Sequence, residues 1–391
     1  MVLASRPRDL PHAARWIRNQ TDRTDVRTTL HRDVQDLLDR TLDSQSNSLA
    51  LQGIHNAAVV VVDHEQGALR ALSGSLDFWD TAHGGQIVGF DEPRSPGSAL
   101  KPFIYARAID TGRVLPGFLV PDIPVSYGSY APDNYDGNFE GLVSMESALS
   151  RSLNLPFVNL LSQVGVEPFL GLLERAGASH LVDEPGHYGL SAAIGGIELT
   201  PLEMAGLYAM LAQDGQARAL RWDADEPGSG EVPVLSPGAA WLTRQTLSLR
   251  DRPDFPGRRA VSRGLARIHW KTGTSYGHRD AWAVGSNEQY TVAVWMGNFD
   301  NSPSPHLVGA DAAGPVLFDL LEGLVSEEKV DHDPRTPDLV EVEVCALSGH
   351  LPAAACPHRS TALALESHVP TSSCPYHVQA ELDLATGFRV T

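Results

Sequence analysis

The stretch Ser98-Ala99-Leu100-Lys101 sets a hydroxyl and an amine three residues apart, directly after the breaker pair Pro96-Gly97. That pair and Pro102 predict a helix beginning at or near Ser98, because proline is tolerated in a first turn and costly further in. Residues i and i+3 share a helix face. A serine hydroxyl is a weak nucleophile until an adjacent base takes its proton, and a neutral lysine can be that base when burial and nearby cations lower its pKa. The helix start also offers backbone N–H groups and the positive end of the macrodipole, which suit an oxyanion. Taken alone, the motif reads first as an ordinary serine N-cap.

Two further motifs follow in order. Ser152-Leu153-Asn154 lies between two helical patterns, where the hydroxyl can relay a proton and the amide can hold Lys101 and a substrate carbonyl. Its plain alternative is a helix cap. Lys271-Thr272-Gly273-Thr274 falls on a strand-like run, and a glycine there marks a bulge or a close backbone approach. A ligand strand beside this edge would meet Lys271 and the hydroxyls of Thr272 and Thr274 with its carboxylate, and Lys271 would help keep Lys101 neutral. The alternative is a solvated strand lysine. Lysine occurs only at 101, 271 and 329 in a chain that otherwise uses arginine. Arginine keeps its proton, whereas lysine can lose it, so two of three lysines falling in these motifs favours chemistry.

The elements that must hold these groups are legible in outline. AAVVVVD and ALRALSG flank the turn HEQG as a hairpin; ARIHWKTGTS, DAWAVGS and YTVAVWMGN make three later strands. Between them, ALKPFIYARAI, MESALSRSL, PFVNLLSQV, PFLGLLERAG and PLEMAGLYAMLAQDG have helical apolar spacing, and a short helical pattern surrounds Trp241. This is an α+β order: an antiparallel sheet of about five strands closing around a helical subdomain. Residues 1–50 read as a polar lead-in with one amphipathic helix over Arg32 to Leu42, 51–325 as the main domain, and 326–391 as a Pro-rich linker and a small Cys/His segment. DRPDFPGRRA reads as an Arg-rich loop.

With 42% hydrophobic and 20% charged residues, the chain can build a core. A net charge of −18 speaks against a nucleic-acid surface, which needs clustered cations. No run of 18 apolar residues predicts a membrane span, and MVLASRPRDLP has Arg and Pro where a signal peptide has its apolar core.

The ordered set SxxK, SxN and KTGT resembles that of penicillin-binding proteins and serine β-lactamases. RSPGSALKPFIY, YAPDNYDGNFEG, SALSRSLNLPFVNLL, AAIGGIELTPLEMAGLYAMLAQDG, WKTGTSYGHRDAWAVG and VAVWMGNFD are similar to successive blocks of a class A penicillin-binding transpeptidase, over about residues 27–391. The resemblance implies a β-lactamase/transpeptidase-like fold and peptidoglycan stem peptides as donor and acceptor. It also implies that Ser98 is acylated by the penultimate D-Ala, with the backbone N–H groups of Ser98 and Thr274 as oxyanion hole, and that β-lactams acylate Ser98. No cofactor is expected for catalysis. The parent protein is expected on the periplasmic face of the inner membrane. Class A proteins also carry an anchor and a glycosyltransferase domain; the sequence lacks both, so a transpeptidase-only product or a fragment without glycosyltransferase activity is expected, its C-terminal module cut short at Thr391. A D,D-carboxypeptidase and a non-catalytic penicillin-binding sensor or scaffold are the competing functions. A β-lactamase is disfavoured because no Glu-x-x-Leu-Asn segment supplies a deacylating base.

The cysteines lie near the C-terminus. Cys345, Cys356, Cys374 and His377 form C-x10-C-x17-C-x2-H, a Cys3His set compatible with structural zinc. The wide first spacing weakens that reading, and a disulfide with one free thiol competes with it in an oxidising compartment.

Overall fold

The computed structural model describes residues 10–184, 186–249, 252, 267–325, 333–386 and 388–389. Two N-terminal helices, α1 (Pro11–Gln20) and α2 (Arg32–Leu51), precede the hairpin β1 (Asn56–Asp63) and β2 (Ala68–Ser73). A helical stretch follows: α3 (Lys101–Asp110), the strand pair β3 (Leu119–Asp122) and β4 (Gly141–Ser144), then α4 (Met145–Ser150), α5 (Leu155–Val164), α6 (Val166–Arg175) and α7 (Pro201–Ala212). A minimal pair, β5 (Gln216–Ala217) and β6 (Val232–Pro233), leads to α8 (Pro237–Leu247). Strands β7 (His269–Thr274), β8 (Asp280–Ser286) and β9 (Tyr290–Gly297), helix α9 (Gly314–Gly323) and the hairpin β10 (Leu339–Cys345) and β11 (Arg359–Leu365) complete the chain.

The main sheet has the order β2-β1-β9-β8-β7, antiparallel throughout. Its period-2 alternation is hidden in the sequence because both faces are covered, so the central strands read as unbroken apolar runs. Ala58, Val60, Val62, Trp282, Val284, Ala293 and Trp295 join the core built with α3, α5 and α7. Ala57, Val59, Val61, Trp270, Ala283, Val292 and Val294 face α2 and α9 instead. The sheet therefore lies between two helical layers and does not close around one. Helix α2 runs nine residues beyond Leu42 and buries Val34, Leu38, Leu42 and Leu49 in the second layer. The sequence reading missed α1, whose Trp16 packs edge-on against Phe90 and Trp222.

Helix α7 is apolar nearly all round because it is buried on most sides. Its start is fixed by a capping box in which Thr200 and Glu203 exchange bonds with each other's backbone N–H. The expected Arg-rich loop at 251–260 lies outside the described residues except for Arg252, whose guanidinium sits 4.0 Å from the centre of the Trp270 ring. Among the described residues no single helix is long and apolar enough to cross a membrane.

Candidate active site

Ser98 sits in a 3-10 turn, Gly97–Leu100, that runs straight into α3 at Lys101. The helix begins three residues later than Ser98, and Leu100 occupies the N-cap, so Ser98 is not a capping residue. Its turn is pinned from three sides. Trp282 Nε1 donates to the Ser95 carbonyl at 2.8 Å, Ser95 Oγ donates to the Gly195 carbonyl at 2.7 Å, and Tyr208 donates to the Ala99 carbonyl at 2.7 Å.

Glycines let this turn press against the sheet edge. A Cβ on Gly273 would lie 2.1 Å from the Pro96 carbonyl oxygen, and one on Gly97, where φ is +53°, would lie 2.4 Å from the Thr274 carbonyl oxygen. The close approach read from Gly273 is real, but it is made by the Ser98 turn and not by a ligand. It brings the backbone at 97–98 alongside that of Thr274 on the edge strand β7.

The second motif joins the two lysines. Lys101 Nζ donates to the Ser152 carbonyl at 2.6 Å and to Asn154 Oδ1 at 2.7 Å. Lys271 Nζ donates to Ser152 Oγ at 2.8 Å and to the Thr272 carbonyl at 2.9 Å. One residue thus meets both amines, through two different oxygens. Ser152 does so with φ at +61°, a left-handed conformation that disfavours a side chain. Asn154 is the N-cap of α5 by position, but its side chain makes no capping bond; it reaches Lys101 and the Asp133 carbonyl instead. The plain readings of all three motifs therefore fail: no Ser98 cap, no Asn154 cap, and no solvated strand lysine, since Lys271 is fully buried.

Burial pushes the Lys101 amine well below the ordinary lysine range, and the charge of Lys271 pushes in the same direction; Asp122 opposes both. Desolvation is the larger cause, so the tuning expected of Lys271 comes second. The strand alternation places Lys271 and Gly273 on one face of β7, with Trp270, Thr272 and Thr274 on the other. Thr274 Oγ accepts from the Gly309 N–H at 3.0 Å and keeps its own proton to donate.

Two supporting residues escaped the sequence reading. Buried Asn134 accepts the Asn154 N–H at 2.7 Å and donates to Asp122 Oδ1 and the Asn138 carbonyl. Asp122 also accepts from the Glu140 N–H. Asn134 therefore holds the Ser152–Asn154 turn in place. The loop that carries it, within YAPDNYDGNFEG, stands out as a family-like block, but its Asn/Asp/Gly-rich composition suggests a surface turn and gives Asn134 no role. The four residues of the Cys/His set also come together.

Residues 57–321 match the model of the penicillin-binding protein transpeptidase domain. The chain belongs to this family. A further match, to the C-terminal domain of penicillin-binding protein 1A, covers residues 335–379. Penicillin-binding protein 1C of Escherichia coli (strain K12) is 35% identical over 344 residues, 87% of this chain and 44% of that protein. Penicillin-binding protein 1A of Neisseria meningitidis (serogroup B, strain MC58) is 30% identical over 291 residues, 68% of this chain and 35% of that protein. The chain spans less than half the length of these curated relatives. Among solved structures, penicillin-binding protein 1A of Haemophilus influenzae superposes with a TM-score of 0.67 at 20% identity, over 82% of this chain and 54% of that one. PonA1 of Mycobacterium tuberculosis in complex with penicillin V gives 0.67 at 19% identity, over 84% of this chain and 94% of that one. Those neighbours share the transpeptidase fold, with the five-stranded sheet described above.

Proposed function

We propose that this chain is a serine D,D-transpeptidase that crosslinks peptidoglycan stem peptides through an acyl-enzyme on Ser98. The observation that carries the reading is the buried lysine pair joined through Ser152. A neutral amine has two N–H groups and one lone pair. The bonds from Lys101 to the Ser152 carbonyl and to Asn154 use both N–H groups, which leaves the lone pair for the Ser98 proton.

In the proposed sequence Ser98 Oγ attacks the carbonyl carbon of the penultimate D-Ala and its proton passes to Lys101 Nζ. The oxyanion is met by the N–H groups of Ser98 and Thr274. Collapse breaks the peptide bond, and the proton held on Lys101 passes by way of Ser152 Oγ to the departing D-Ala nitrogen, leaving an ester on Ser98 and Lys101 neutral again. The amine of a second stem then attacks that ester and gives its proton to Lys101, which returns it to Ser98 Oγ as the ester bond breaks. The hydroxyls of Thr272 and Thr274 would meet the terminal carboxylate at one face of the edge strand, and the Lys271 charge would attract it from the other. A β-lactam enters by the same attack, but its leaving nitrogen stays tethered by the opened ring, so the ester persists. That PonA1 was solved with penicillin V is consistent with this. Residues 51–325 would form the catalytic domain and the chain would work on the periplasmic side, where the stem peptides are.

Labelling with a fluorescent penicillin tests the nucleophile: wild type retains a stable adduct and Ser98→Ala retains none. Adduct on Ser98→Ala, or rapid release from wild type, overturns the assignment. Incubation with paired donor and acceptor stems then yields crosslinked product; D-Ala release with no crosslink identifies a carboxypeptidase.

A further inference from the structure

We propose that Cys345, Cys356, Cys374 and His377 bind one structural zinc ion that closes the C-terminal module and fastens it beside β3. The four ligand atoms lie within 4.8 Å of one another, and all three thiols are free. A tetrahedral zinc with Zn–S of about 2.3 Å and Zn–N of about 2.0 Å has S···S edges of about 3.8 Å and S···N edges of about 3.5 Å. His377 Nδ1 stands 3.4 Å from Cys345 Sγ and 3.4 Å from Cys374 Sγ. The set therefore has the dimensions of a coordination shell, whereas a disulfide would need two sulfurs at about 2.0 Å.

The fold also explains how so wide a spacing makes a site. The hairpin β10–β11 pairs Cys345 with Arg359 and so returns the chain to within three residues of Cys356. A parallel bridge between Leu351 and Ser373, with the Cys374 N–H donating to the Leu351 carbonyl, brings in the Cys374–His377 turn. Pairing across the hairpin does what a C-x2-4-C spacing does elsewhere.

The surroundings are built for thiolates. Ser348 Oγ donates to Cys374 Sγ at 3.1 Å and the Ala353 N–H donates to Cys356 Sγ at 3.2 Å, the kind of outer bonds that hold metal-bound sulfur. The three cysteines are buried, yet among the described residues the apolar cluster around them contains only Ala353 besides. Loops with so little core of their own need a staple. The same loops dock on the transpeptidase domain: the Leu119 N–H donates to the Ser348 carbonyl at 2.8 Å, and His350 stacks on Phe118 at 4.1 Å. Leu119 opens the strand that ends at Asp122, the partner of Asn134.

The test uses the full 391-residue chain, purified without chelator. Elemental analysis should find about one zinc per chain, with three thiols that alkylate only after chelation or unfolding. Replacement by cobalt(II) should give the visible d–d bands of a tetrahedral thiolate site, a readout that needs no variant. Cys374→Ser and His377→Ala should lose most of the metal while still forming the penicillin adduct. Zinc absent after refolding with added metal, a disulfide among the three cysteines by peptide mass spectrometry, or octahedral cobalt spectra would each overturn the proposal.

Discussion

Replacing Lys271 by glutamine should move the pH dependence of Ser98 acylation. Lys101 and Lys271 bond to different oxygens of Ser152, at 2.6 and 2.8 Å. Two charged amines held by one residue repel each other, and at an effective dielectric of about 20 a charge pair roughly 6–8 Å apart is worth about 2–3 kcal/mol. The sign is fixed by the role of Lys101. As a base it works only when unprotonated, so the acylation rate falls as pH drops through its pKa. Removing the Lys271 charge raises that pKa, and the acid limb of the rate constant for penicillin acylation moves to higher pH. The plateau also falls, because a carboxylate partner is lost. Lys271→Arg separates the two effects: it keeps the charge, so its plateau falls while the limb stays within about half a unit of wild type. Stopped-flow acylation across pH measures both. A limb that stays put in Lys271→Gln, or moves to lower pH, refutes the tuning argument.

Three other outcomes follow from the same geometry. Ser152→Gly relieves the left-handed backbone by about 1 kcal/mol but takes an acceptor from the buried Lys271 amine, a charge-assisted bond worth about 1.5–3 kcal/mol, so its urea midpoint falls modestly while acylation drops about 100-fold. Ser152→Ala keeps the strain and should be less stable than the glycine variant by about 1 kcal/mol; equal stability would refute the strain. Asn134→Ala strands the Asn154 N–H and a carboxylate oxygen of Asp122, lowering stability by about 2–3 kcal/mol and slowing acylation at least about tenfold in the same penicillin assay. Burial, aided by the Arg244 charge, pushes His269 down to about 4, so the unfolded chain takes up its proton first. Stability should therefore fall by up to about 3 kcal/mol as pH drops from about 6.5 to about 4, and His269→Gln should flatten that difference in urea unfolding.

How much was legible in advance differs between the site and its supports. Ser98, Lys101, Ser152, Asn154 and Lys271 could be picked from the sequence because each lies in a short local motif, and because lysine is scarce in an arginine-rich background. The five strands and most of the helices could be read from apolar periodicity and breaker residues. Local spacing carries that information without any knowledge of the rest of the chain. Long-range pairing is another matter. That both lysines converge on one strained serine, that Gly273 exists to admit the Ser98 turn, and that Asn134 anchors the SxN turn depend on contacts between segments 20 to about 180 residues apart. The same holds for the cysteines, whose ten-residue spacing becomes a cluster only through the β10–β11 pairing. Residue types and local order were set by the sequence itself. Which groups share a cleft, and how far burial shifts their protons, was decided by the packing of the sheet between its two helical layers.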